Sequence, residues 1–224
     1  MKNIHEFLLT TELFRGFEAD DIGKMLSCLN PYKKSYKKDE VIVSEGSNLD
    51  VLGLVLSGQV HVEHEDYWGN RSILGIIGVG DIFGEAYTMP ESEPIPNFII
   101  AARDTEVVFL DTKNILTMCS TNCHFHNQLI QNLFVIIAGK NRSLAGKIRH
   151  MSRRSTREKL LSYLLDQSIL AGNDTFDIPF NRQQLADYLA VDRSAMSAEL
   201  SKMQKEGLIQ FKKNHFKLLR HDNM

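Results

Sequence analysis

NRQQLADYLAVDRSAMSAELSKMQKEGLI, Asn181 to Ile209, carries two apolar stripes at helical spacing with a tight break between them. The spacing predicts a first helix from Arg182, capped by Asn181, that buries Leu185, Ala186 and Leu189. Ala190, Val191 and Asp192 then make the turn of a helix-turn-helix. Asp192 caps a second helix whose inner side takes Ala195, Met196, Leu200 and Met203. Its other face, Arg193, Ser194, Ser197, Ala198, Ser201 and Lys202, is hydrophilic, small and net positive. The major groove of DNA admits such a helix, and first-turn side chains reach base edges there. Arg193 sits in that turn, where its planar fork can hold a guanine by two bonds, and Ser194 and Ser197 can touch bases or phosphates. Arg182 and Gln183, with Asn181 beside them, are placed to meet the DNA backbone along with the free amides of the first helix.

Beyond Gly207, Leu208, Ile209 and Phe211 begin a short strand. Lys212, Lys213 and Asn214 read as the tip of a hairpin returning through Phe216, Leu218 and Leu219, the basic wing of a winged helix. The competing reading is a helical hairpin whose charges only face water. The sequence order of helices, turn and basic tip favours DNA. Upstream, Ser155 with Glu158 is a capping box that opens an apolar helix ending near Ser168. A polar turn from Ala171 to Asp177 and a short strand from Phe176 to Phe180 lead into the helix-turn-helix.

From Thr112 to Ser152 the pattern is helical. Phe125, Leu129, Leu133, Ile136 or Ile137, Lys140, Leu144, Ile148 and Met151 fall close to a heptad seam. An apolar seam of that length needs a partner, and the simplest is a second copy in a parallel coiled coil. Packing of the seam on the chain's own barrel is the alternative. The dimerisation residues expected are Leu129, Leu133, Ile136, Ile137, Lys140, Leu144 and Ile148.

From Tyr32 to Asp111 short runs of Val, Ile, Leu and Phe alternate with turns, and eight of the fourteen glycines lie between 46 and 84. Strands are expected near Glu40 to Ser44, Val51 to Ser57, Gln59 to His64, Arg71 to Ile77, Phe98 to Ala102 and Glu106 to Asp111. Such a series builds a small antiparallel barrel or jelly roll. Its interior would take Val41, Val43, Leu54, Leu56, Val60, Val62, Leu74, Ile76, Ile100 and Val108. One or two short helices over Ile4 to Leu29 should cap it. The chain is thus α+β: a sensor domain over 1–120, a long dimerisation helix over 121–152, and a winged helix-turn-helix over 153–224.

The net charge is −2, but residues 1–120 hold 10 Lys or Arg against 19 Asp or Glu and the remainder hold 16 against 9. That asymmetry suits a protein whose C-terminal part approaches a polyanion. No span approaches the apolar length of a membrane helix. The opening MKNIHEFLLTTELF is broken by polar residues and is not a secretion signal, so a cytoplasmic location is expected. Three cysteines, Cys28, Cys119 and Cys123, cannot build a disulfide framework. Cys119 and Cys123 near His124 and His126 lack the second ligand pair of a zinc site, and free thiols are the plainer reading. No metal or cofactor is expected.

The VLSGQVHV stretch at Val55 to Val62, GVGDIFGEA at Gly78 to Ala86, the long helix, and Leu185 to Ile209 together resemble the Crp/Fnr family of bacterial transcription regulators over nearly the whole chain. The resemblance implies a cyclic-nucleotide-binding-type sensor, a dimerising helix, paired recognition helices on a palindrome, and RNA polymerase as a partner. Members that bind cyclic AMP carry Gly and Glu followed about ten residues on by Arg and Ser. Here Gly84 and Glu85 are present, but SEPIPN places Ile95 and Pro96 where the Arg and Ser fall. Without that guanidinium a cyclic phosphate would be buried unpaired, so cyclic AMP is not expected. Nor can three cysteines supply the four thiolates of an iron-sulfur sensor. Arg193 and Ser197 match residues of the family's recognition helix, whereas Ser194 and Ala198 replace its Glu and Arg. An imperfect palindrome unlike the TGTGA half-site is therefore expected.

The effector is unidentified; Gly84, Glu85, Ala86, Tyr87, Thr88 and Asn97, with Asn141 and Arg142 of the helix facing in, are the candidate pocket. Amides around Gly84 could hold an anion and Arg142 could be its counter-charge. In the alternative, Glu85 and Arg103 pair structurally and the barrel is only a platform for dimerisation. A cupin-like enzyme is disfavoured, because His61 and His64 stand an odd number apart on one strand and point to opposite faces.

Overall fold

The computed structural model describes residues 4–69, 71–88, 93–112, 115 and 124–219. The chain folds as two compact units, 1–140 and 141–224.

In the first unit, helix α1 (Ile4–Leu8), a 3₁₀ turn (Glu12–Phe14) and α2 (Ala19–Leu29) precede eight strands. These are β1 (Tyr32–Tyr36), β2 (Val41–Val43), β3 (Val51–Ser57), β4 (Val60–Glu65), β5 (Arg71–Ile77), β6 (Ile82–Phe83), β7 (Phe98–Ala101) and β8 (Thr105–Asp111). They form two antiparallel four-stranded sheets, ordered β1-β8-β3-β6 and β2-β7-β4-β5. No ladder joins the sheets among the described residues, so the arrangement is the jelly-roll form of the expected architecture. The expected strands β3 and β5 match at both ends, whereas β1 and β6 are additions to the strands expected from sequence. YKKSY of β1 is exposed at four of five positions, the pattern of an edge strand rather than of a half-buried one.

The sheet core departs from the expected lining. Tyr36, Val55, Phe83, Val107 and Phe109 of one sheet meet Val43, Val60, Ile77, Ile99 and Ala101 of the other, with Val62 at the margin. Leu54 and Val108 point the other way, into a second core made with Leu8, Leu13, Phe14, Ile22, Met25 and Leu29, and Leu56 packs at its edge. Val41 is 43% exposed, and Leu74, Ile76 and Ile100 are half-buried on the outer face. The reason is physical: VLGLVLS is buried on both faces, and a continuous apolar run has no alternation to fix its phase. On β5, bulging between Val62 and Glu63 in the β4 pairing shifts the phase midway. Gly53 is required where it stands, because a Cβ there would lie 2.2 Å from the Phe83 ring.

Helix α3 (His124–Met151) is one element of 28 residues. Its first turns belong to the second core through Leu129, with Leu133 and Ile136 packed against it. Asn132 donates from Nδ2 to the carbonyls of Leu13 (2.9 Å) and Arg15 (2.8 Å), tying the helix to the N-terminal segment. The expected dimer seam is therefore corrected in its first half: Leu129 is fully buried in its own chain and cannot meet a partner. Cys119 and Cys123 lie outside the described residues, and Cys28 is an exposed free thiol.

The second unit takes the end of α3, then α4 (Thr156–Ala171), β9 (Thr175–Asp177), α5 (Arg182–Leu189), α6 (Arg193–Lys205), β10 (Ile209–Lys212) and β11 (His215–Leu218). Its sheet is ordered β10-β11-β9. The Ser155 hydroxyl accepts from the Glu158 amide while the Glu158 carboxylate accepts from the Ser155 amide, the reciprocal pair read from sequence. Leu160, Tyr163, Leu164, Phe180, Leu185, Leu189, Met196, Leu200, Met203 and Phe216 fill the core.

Candidate nucleic-acid interface and sensor site

Helix α5 begins where Asn181 Oδ1 accepts from the Gln184 amide (3.0 Å) and Gln184 Oε1 accepts from the Asn181 amide (2.9 Å). It stops at Ala190, whose left-handed backbone (φ 49°) makes the reversal. Asp192 Oδ1 then accepts from the Ala195 amide at 2.7 Å and starts α6. Met196, Leu200 and Met203 lie at 0% exposure on the inner side. Arg193, Ser194, Ala198, Ser201 and Lys202 are exposed, and Ser197 is half-buried. Ala195, expected on the inner side, is exposed: it lies about 100° round the helix from the stripe of Met196, Leu200 and Met203.

Arg157 on α4 fixes the pose of α6 from behind, pairing with Glu199 (3.4 Å) and with Glu206 at the far end. The sequence singles out neither partner, since each pair joins elements some forty residues or more apart. Ser197 and Ser201 donate their hydroxyls to the carbonyls of Arg193 and Ser197 (2.9 Å each), so toward DNA they are left as acceptors or as small surfaces. Gln183 is exposed and donates to Asp187 (2.8 Å). Arg182 lies over the rings of Phe211 (4.7 Å) and Phe216 (5.2 Å), and burial lowers its pKa. It braces the wing against α5 instead of reaching freely outward. Lys212 and Lys213 are exposed at the hairpin turn, with Lys213 at φ 56°.

Also in this unit, Lys147 is 7% exposed with its ammonium 4.7 Å from the Tyr188 ring, and burial pushes its pKa down to about 8. His150, 3% exposed, bonds Ser162 through Nδ1 (2.8 Å) and faces Asp166 through Nε2 (3.4 Å). Burial lowers its pKa, against the pull of Asp166. Arg149 pairs with Asp166 as well. Nothing in the heptad pattern sets Lys147 and His150 apart from solvated helix positions.

In the first unit Gly84 has φ 89°, and a Cβ there would lie 2.5 Å from Leu49. Glu85 is turned inward, its side chain 13% exposed, with Oε1 accepting from Lys140 Nζ at 2.7 Å. The same ammonium donates to the Ile82 carbonyl at 2.6 Å. Glu85 Oε2 is buried without a partner among the described residues. The expected Glu85–Arg103 alternative is corrected: Arg103 donates to Gln59 (3.0 Å), and Lys140 takes its place. Lys140, expected in the dimer seam, is thus held by its own chain. Tyr87 packs against the core between the sheets, Thr88 donates to the Glu85 carbonyl (3.4 Å) and Asn97 is buried, whereas Ala86, expected in the pocket, is exposed. Asn141 and Arg142, expected to face inward, are exposed. Ile95 is 1% exposed and belongs to the core between the sheets. His61 is buried with Nδ1 3.4 Å from Glu63, and His64 is exposed.

Residues 33–122 match the cyclic nucleotide-binding domain and residues 158–224 the Crp-like helix-turn-helix domain, together more than half of the chain. The probable transcriptional regulator flp of Lacticaseibacillus casei is 25% identical over 98% of this chain and 97% of its own. The transcriptional activator protein FnrL of Cereibacter sphaeroides is 23% identical over 80% and 72%. Among solved structures, the c-di-GMP-responsive global regulator CLP of Xanthomonas campestris shares the fold with a TM-score of 0.72 at 17% identity, covering 91% of this chain and 100% of that one. FixK2 of Bradyrhizobium japonicum has a TM-score of 0.66 at 21% identity, covering 85% and 93%. With both domain models met in order and transcription regulators as relatives, the chain belongs to the Crp/Fnr family: a DNA-binding transcription regulator with a cyclic-nucleotide-binding-like sensor domain.

Proposed function

We propose that the protein is a homodimeric, sequence-specific regulator that reads an imperfect palindrome through two copies of α6. The observation that carries this is the exposed Arg193, Ser194, Ala198, Ser201 and Lys202 face on a helix whose opposite side is fully buried. Arg193 contacts a base edge, Ser194 and Ser197 line the groove, and Asn181, Gln183, Lys202, Lys212 and Lys213 meet phosphates. Arg182 acts by holding the wing. Residues 1–120 sense, 121–152 dimerise and 153–224 bind DNA. RNA polymerase is the partner through which bound protein acts, in the bacterial cytoplasm. Selection of duplexes from a random pool tests the reading: an inverted repeat with half-sites one helical turn apart is expected, and enrichment without any repeat rejects it.

The sensor domain answers to a small effector other than cyclic AMP. Ile95 is sealed in the sheet core, and the Glu85 carboxylate is already engaged by Lys140. Among the described residues a cyclic phosphate would find no guanidinium there and would have to displace an ion pair. Titration with cyclic AMP is expected to leave the melting temperature and DNA affinity unchanged, and a saturable shift in either rejects this. A second reading, a ligand-free barrel serving as a platform, is favoured by the same Glu85–Lys140 pair. Mass spectrometry of small molecules extracted from native protein separates the two.

A further inference from the structure

The face of α3 left open by the chain's own packing has a regular period. Phe134 is 72% exposed, Ile137 38%, Leu144 51%, Ile148 65% and Met151 38%, with Val135 (53%) at the flank of the row. With exposed Asn141 between Ile137 and Leu144, the residues of the row are spaced three, four, three, four and three apart. That is the a/d alternation of a two-stranded coiled coil, about 26 Å long, with Phe134, Asn141 and Ile148 at a and Ile137, Leu144 and Met151 at d. This register differs from the one the sequence suggests, because Leu129, Leu133 and Ile136 are taken up by the chain's own core.

We propose that, in the parallel homodimer already described, Asn141 is the register and orientation determinant of this seam. The proposal rests on the dimer reading above. In a parallel pair a positions face a positions, so each Asn141 carboxamide meets its own copy and can donate to it and accept from it. In an antiparallel pair a faces d, and Asn141 would be buried against an apolar side chain with its hydrogen bonds unmade. A slip by one heptad along the helix has the same consequence, placing Asn141 against Phe134 or Ile148. β-branched Ile148 at a with Leu144 at d favours two strands and Ile137 at d favours more, so the polar Asn141 at a is what holds the seam to a pair. The neighbouring g positions add the reason the seam has one face: Lys140 is bonded to Glu85 and Lys147 is buried against Tyr188, so both are engaged at home and unable to form the charged flank of a larger bundle.

Sedimentation of the full-length protein, the Asn141→Leu and Asn141→Asp variants, and Arg142→Asp as an off-seam control tests this. The wild type is expected to be a single dimeric species. Asn141→Leu is expected to associate at least about tenfold more tightly and to lose homogeneity, populating higher or mixed states. Asn141→Asp is expected to weaken association about tenfold or more, with Arg142→Asp near wild type and circular dichroism unchanged throughout. A dimeric wild type whose Asn141 variants associate as tightly and as uniformly as it does overturns the assignment of Asn141 while leaving the dimer. A monomeric wild type overturns both.

Discussion

The two units place their polar chemistry differently. In the C-terminal unit short capped helices bury one side and turn Arg193, Ser194 and Lys202 outward, where a large partner can reach them. In the N-terminal unit Glu85 is turned inward and answered by Lys140, and Ile95, where the resemblance leads one to expect a phosphate-binding Arg, is sealed in the core. An interface for a polyanion is built by exposing charge on a rigid element. A selective pocket is built by burying it, and buried charge demands a partner whether or not a ligand is present.

Core truncation sharpens the comparison most. Leu200→Ala and Ile95→Ala each remove a buried side chain, at a cost of about 2–5 kcal/mol. Calorimetry is expected to show Leu200→Ala lowering the melting of the C-terminal unit and Ile95→Ala that of the N-terminal one; equal loss in both would merge the units into one cooperative block. Next in size, Arg193→Ala is expected to cost about 1–3 kcal/mol in affinity for the selected duplex and to relax preference at one base position, without a change in melting temperature. Competition binding against single-base variants reads both effects.

Lys147 supplies a pH signature confined to the second unit. Its folded pKa of about 8 lies below the ordinary 10.5, so between those values the unfolded chain holds a proton that the folded one has released. Stability therefore rises with pH in that window, by up to about 2 kcal/mol between pH 8 and 10. Tyr163 and Tyr188, both raised by burial, oppose it only above pH 10, where the unfolded tyrosines ionise first. Denaturant titrations are expected to show this rise in the wild type and a flat profile in Lys147→Met. Smallest of all, Lys212→Ala is expected to weaken binding evenly across sequences and to lower the salt slope by about one.

The same contrast explains what the sequence discloses. Asn181, Asp192 and the Ser155–Glu158 pair act within four residues of themselves, so caps and turn are legible without tertiary information. The sensor strands are legible as strands, yet VLGLVLS is apolar on both faces, and only the N-terminal helices, well upstream, decide which face meets which core. Lys140 reads as a seam position until β6 and Glu85 are brought beside it, and Arg182 reads as a phosphate contact until the wing folds under it. Roles that depend on distant strands stay hidden in a one-dimensional pattern, and roles confined to one turn do not.

Paired reading of DNA is the claim on which the dimer, the seam and the recognition helix all converge. Fluorescence anisotropy of the full-length protein on its selected duplex, with one half-site then scrambled, measures it directly. A loss of at least about a hundredfold on scrambling one half is expected, since two linked contacts become one. Equal affinity for the intact and half-scrambled duplexes would contradict it.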